Sequence, residues 1–121
     1  TTEFSFNPSI SPDGTEVIYE VGSDTSKIWK VGIDGGVPVQ LTDNEARNPV
    51  FSPDGKFFLC NWWDDPNTAW TEPADGGTPK QLASFPGLAI GTFEFSRDGK
   101  RIAINPGIGT SDAVLITGIG K

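Results

Sequence analysis

The side chains best suited to chemistry in this sequence are carboxylates set at a regular interval. Asp13, Asp54 and Asp98 each precede a glycine in Ser11-Pro12-Asp13-Gly14, Ser52-Pro53-Asp54-Gly55 and Ser96-Arg97-Asp98-Gly99, spaced by 41 and then 44 residues. General acid–base work needs carboxyl groups that converge on one substrate. One acid per copy, each in its own Asp-Gly turn, keeps them apart, and Asp in that place bonds its own following backbone. The sequence holds no histidine, which removes Ser-His-Asp and Cys-His nucleophilic catalysis, imidazole general-base chemistry and histidine-ligated metal sites from this chain. The expectation is a non-enzymatic segment without catalytic residues, any chemistry of a parent protein lying on another segment.

Asp64, Asp65 and Asn67 supply oxygen ligands of the type Ca²⁺ takes. Neither Ser23-Asp24 nor Ile108-Gly109, at the corresponding places, repeats that set, and Asp65-Pro66 equally reads as the start of a solvated turn. No other cofactor is expected. Cys60, the one cysteine, cannot form an internal disulfide, and within its apolar run it reads as a small core residue. The glycines at 32–36 and 107–109 follow strands with no helix behind them, which argues against a phosphate-binding loop. Trp62-Trp63 is peculiar to the middle copy, where the others have Val21-Gly22 and Pro106-Gly107. Consecutive strand residues point to opposite sides, so one tryptophan is expected in the core and the other, Trp63, at a contact surface.

The elements that position these residues follow from the repeat. A shift of 41 places Asn7-Pro8 on Asn48-Pro49, Trp29 on Trp70, Asp34-Gly35-Gly36 on Asp75-Gly76-Gly77 and Gln40-Leu41 on Gln81-Leu82. A shift of 44 carries Phe51-Ser52 onto Phe95-Ser96 and Asp54-Gly55-Lys56 onto Asp98-Gly99-Lys100, the extra residues falling in the Gly- and Pro-containing stretch 84–91. A period near 40 marks a repeat architecture. Within a copy, an apolar run enters the Asp-Gly turn and another leaves it, the pattern of a hairpin with Pro at the first central turn position. A third run carries the recurring tryptophan and ends at Asp-Gly-Gly, and a fourth follows that turn. Trp29 and Trp70 are expected as core anchors. The chain therefore predicts an all-β fold of three four-stranded antiparallel repeats, at about 1–42, 43–83 and 84–121, the third lacking its Asp-Gly-Gly turn and fourth strand.

The second strand of every copy is apolar on both faces: Val17-Ile18-Tyr19, Phe58-Leu59-Cys60 and Ile102-Ala103-Ile104. Such a sheet needs cover on both sides, which stacked blades give one another. With its Ser-Pro-Asp-Gly turns, tryptophan strand and the segment from Asp34 to Thr42 with its copy from Asp75 to Leu82, nearly the whole chain resembles the WD40-like β-propeller repeats of the TolB type. That resemblance implies part, or half, of a six-bladed propeller. It also implies a scaffold that binds protein or peptide in bacterial sensors and regulators, with the periplasm somewhat favoured over the cytoplasm. The alternatives it brings are a gating propeller segment of a prolyl-oligopeptidase-like hydrolase and a small-molecule sensor.

Composition bounds the partners. The net charge is −7, with nine basic residues scattered along the chain, so nucleic acid is not an expected partner. No apolar run is long enough to span a membrane. Methionine is absent, position 1 included, which reads as a chain processed or cut from a longer one. Three blades leave two sheet faces open, so the expected outcomes are self-association of two chains into six blades or docking with the remainder of a longer propeller. The connections at 22–26, 42–47, 63–68, 84–91 and 106–111 vary between copies and share one end of the predicted blades. Variable loops on a rigid frame are the expected place for recognition, and Trp63, Asp64, Asp65 and Arg47 are the candidate contact residues.

Overall fold

Tight turns joining short, apolar, β-branched and aromatic runs leave the backbone little choice but up-and-down sheets. The computed structural model describes residues 4–87, 89–106 and 114–117. The first sheet holds β1 (Phe4–Ile10), β2 (Glu16–Gly22), β3 (Ser26–Gly32) and β4 (Gly35–Gln40) in that spatial order. The second holds β5 (Ala46–Phe51), β6 (Phe57–Trp62), β7 (Asp65–Pro73) and β8 (Lys80–Ser84), and the third β9 (Ile90–Phe95), β10 (Arg101–Pro106) and β11 (Val114–Thr117). All pairings are antiparallel. The third sheet has three strands among the described residues, and the expected connection at 107–111 lies outside them.

Each Ser-x-Asp-Gly turn is built alike. Ser11, Ser52 and Ser96 accept the N–H of Gly14, Gly55 and Gly99 through their carbonyls at 2.9–3.0 Å. Those glycines have φ of 74–75°, a region that costs other L-residues about 1 kcal/mol or more. Asp13, Asp54 and Asp98 accept the backbone N–H two residues on at 3.0 Å and the serine hydroxyl at 2.6–2.7 Å. The turns also stack. A Cβ on Gly55 would lie 3.2 Å from the Pro12 ring, and one on Gly99 would lie 3.2 Å from the Pro53 ring.

Two apolar clusters fill the seams between sheets. The first joins Ile18 and Ile28 of the first sheet to Ala46, Phe51, Phe58 and Cys60 of the second. The second joins Leu59 and Ala69 to Ile90, Phe93, Ile102 and Ile104 of the third. The middle sheet is thus covered on both faces, as its second strand demanded. β5 and β9 approach the preceding sheet along the inner side, while β4 at the outer edge is exposed throughout.

The recurring tryptophans part company. Trp70 packs on the first cluster and stacks on Trp62, ring centroids 3.8 Å apart and 5° from parallel. Trp29 belongs to neither cluster and is partly exposed. It faces the side of the first sheet that has no neighbour among the described residues, so the expectation of a second core anchor fails for want of a blade to bury it.

Candidate functional site

The β2–β3, β4–β5 and β6–β7 connections gather at one end of the first two blades. In the middle blade β6 and β7 are joined by only Trp63 and Asp64. The Trp63 N–H donates to the Glu45 carbonyl at 3.0 Å, tying this turn to the β4–β5 loop. The Trp63 indole N–H donates to the Ser26 hydroxyl of the first blade at 3.1 Å. The Arg47 guanidinium carbon stands 4.8 Å from the centre of the Trp63 ring, within cation–π range. Arg47 Nε is buried without a hydrogen-bond partner among the described residues.

Trp63 rests on a buried polar hub. The Ser26 hydroxyl lies 2.8 Å from Glu20 Oε1 and 2.9 Å from the Ala46 carbonyl, and can give its single proton to either. Glu20, only 1% exposed, accepts on Oε2 from Asn7 Nδ2 at 2.5 Å and from the Asn48 N–H at 2.9 Å. Asn7 and Asn48 have φ of 52° and 59°, a left-handed turn that asparagine tolerates better than most residues. The ladder skips at both points, between Phe6 and Ser9 and between Arg47 and Val50. The same inner pairing recurs as Asn48 Nδ2 to Asn61 Oδ1 at 3.0 Å and Asn105 Nδ2 to Thr92 Oγ1 at 3.1 Å. Sequence reasoning missed Glu20 and Ser26; the repeated Asn-Pro pair was the signal that pointed to them.

The expected loop at 63–68 is largely strand. Pro66 has no N–H to give the ladder, and residues 66–69 bulge against Asn61 between the pairs Trp62–Asp65 and Cys60–Trp70. Asp65 and Asn67 therefore lie in β7, and the solvated turn expected to begin at Asp65 sits two residues earlier, at Trp63-Asp64. The Asp65 carboxylate accepts the Thr68 hydroxyl at 2.9 Å, the Asn67 carbonyl accepts the Phe85 N–H at 2.8 Å, and Asp64 is exposed. No group of three or more histidine, cysteine or carboxylate side chains gathers among the described residues. The structure thus brings Trp63 and Arg47 into contact, with Asp64 beside them in the turn, and gives Asp65 a structural partner.

Carboxylate environments diverge sharply. Asp13, fully exposed, is held at about 2 by hydrogen bonds from the Thr15 and Ser11 hydroxyls and the Thr15 N–H. Asp54 and Asp98 are lowered for the same reason, their serine hydroxyl first. Glu72 is raised by burial, against which the Cys60 thiol at 3.4 Å works in part. Cys60 itself is fully buried, and burial followed by the Glu72 carboxylate pushes its thiol well up, which keeps the thiolate out of reach.

No family model matches the chain, and no curated protein matches it in sequence. Solved structures do resemble it. TolB from Acinetobacter baumannii superposes with a TM-score of 0.73 at 23% identity over 93% of this chain and 29% of that one. The β-propeller domain of the trilobed protease from Pyrococcus furiosus gives 0.64 at 18% identity over 86% and 34%. The acylaminoacyl peptidase of Pyrococcus horikoshii gives 0.68 at 17% identity over 85% and 17%. The chain has the TolB-like β-propeller fold, and it spans about a third or less of each of these proteins.

Proposed function

We propose that this chain is a non-catalytic propeller segment that binds a protein or peptide at the connection end of its first two blades. The observation that carries the reading is Trp63, its indole held by Ser26 from the neighbouring blade and by Arg47 across its face, and its backbone N–H by the Glu45 carbonyl. Aromatic and arginine side chains supply much of the binding energy of interfaces, and one held rigid loses little freedom on binding. Asp64 adds an exposed acceptor beside the ring. Such a rim suits an extended peptide carrying an apolar residue for the indole and a donor for the carboxylate.

A peptide library displayed against the chain tests this. Recovered peptides should lose at least about tenfold in affinity to Trp63→Ala, a loss of roughly 1.4 kcal/mol, and be indifferent to Val37→Ser on the outer strand. Peptides that bind both variants equally would remove the site.

A second reading, an accessory propeller segment of a hydrolase, is supported by the likeness to the acylaminoacyl peptidase. A parent sequence with a Gly-x-Ser-x-Gly elbow would favour it.

A further inference from the structure

The seam between the first two blades shows how one covered blade face is bonded. Two backbone N–H groups of the second blade are held by side chains of the first: Asn48 by the Glu20 carboxylate at 2.9 Å and Phe51 by the Ser9 hydroxyl at 3.1 Å. The repeat carries Glu20 and Ser9 onto Asn61 and Val50 in the middle blade, and onto Asn105 and Glu94 in the third. Val50 accepts nothing, but Glu94 and Asn105 are both acceptors and both exposed. Asn105 turns its amide nitrogen to Thr92, leaving its oxygen to accept.

At the other end of the chain, the places of Asn48 and Phe51 are taken by Asn7 and Ile10. Asn7 repeats the left-handed backbone and the skipped ladder, and Ile10 is 59% exposed where Phe51 is 7%. The third blade's open side thus carries the acceptors, and the first blade's open side the donors, of a seam like the one the chain already makes.

We infer that these two faces dock on one another between two copies of the chain, so that two sets of three blades close one ring. Apolar volume agrees. In the existing seam the large Ile18 and small Cys60 share a cluster; in the new one their places hold the small Ala103 and large Tyr19. Charge agrees as well. Glu16, ion-paired with Lys30 at 3.4 Å, lines one cleft with Lys56 and Asp75 at the turn end of the existing seam, two acids with two bases. In the new seam Arg101 takes the place of Glu16 and stands opposite Asp34, in the place of Asp75, while Leu115 and Thr15 take the places of the two lysines, so one base faces one acid and the charge stays balanced. Six blades fall within the four to eight that close a propeller.

Light scattering and sedimentation on the 121-residue chain at about 0.1 mM, well above the dissociation constant of a standard-sized interface, should give twice the 12.9 kDa of one chain. Ile10→Arg should return a single chain with an unchanged far-ultraviolet circular dichroism spectrum. Arg101→Asp should weaken the pair by about tenfold or more, and Asp34→Arg in the same chain should restore it. Trp63→Ala should leave the pair intact, which separates this seam from the peptide site. A folded chain that stays single at that concentration overturns the inference, as does a pair indifferent to both Ile10→Arg and the charge reversal.

Discussion

The Glu20 carboxylate accepts the Asn48 N–H at 2.9 Å across the first seam. It bonds one blade to the backbone of the next at a point where that backbone has left its own ladder. Glu20→Ala strands this N–H, while the Ser26 hydroxyl keeps the Ala46 carbonyl as acceptor, so it should cost about 1–3 kcal/mol in urea unfolding. Glu20→Gln, which keeps an acceptor oxygen, should cost clearly less.

The turn glycines separate backbone strain from crowding. Gly14 has positive φ and nothing within 4 Å of an added Cβ, whereas Gly55 has the same φ and the Pro12 ring at 3.2 Å. Gly14→Ala should cost about 1 kcal/mol from conformation alone. Gly55→Ala should cost more, and Pro12→Ala should recover the excess in a double-mutant cycle followed by thermal unfolding.

Acid should loosen the turns. The Asp13, Asp54 and Asp98 carboxylates lie below their ordinary 3.8, Asp13 at about 2. The stability they confer is complete above that ordinary value and lost as pH falls towards the folded ones. Melting temperatures taken downward from about pH 6 should fall most steeply in that window, and Asp13→Asn should flatten the decline. A decline unchanged by Asp13→Asn would assign it to other groups.

Glu72 works with the opposite sign. Burial raises it above its ordinary 4.5, so its favourable contribution is present below that value and is lost as pH rises through the folded one. Glu72→Gln should raise the melting temperature at neutral pH and bring no gain in acid. A uniform loss at all pH values would show that the charged form is held better than its burial implies.

Much of the scaffold was legible because it rests on local chemistry. Asp-Gly sets a turn whatever surrounds it, and apolar residues on both faces of a strand announce neighbours on both sides, as Leu59 and Cys60 in separate clusters bear out. What escaped depends on distant backbone. A glutamate that ends an apolar run reads as solvated, and Glu20 is buried because Asn7, Ser26 and Asn48 bring donors from three other segments. Trp63 was legible as bulk without a counterpart. The two-residue turn that carries it was not, since it depends on how the ladder resumes after Pro66. Gly22, its counterpart, admits no side chain, because a Cβ there would sit 1.9 Å from the Thr25 carbonyl oxygen.

The stacked turns bear on how such a chain can grow. Pro12 fills the hollow over Gly55, and Pro53 the hollow over Gly99, so the first two units each carry a plug for the next and the last two each a socket for the one before. Gene duplication that adds or removes a whole unit preserves that fit automatically, whereas an insertion inside a turn would break it on both sides at once. Arg97 stands where the first two units carry proline, so the third unit offers a following turn no ring of that kind.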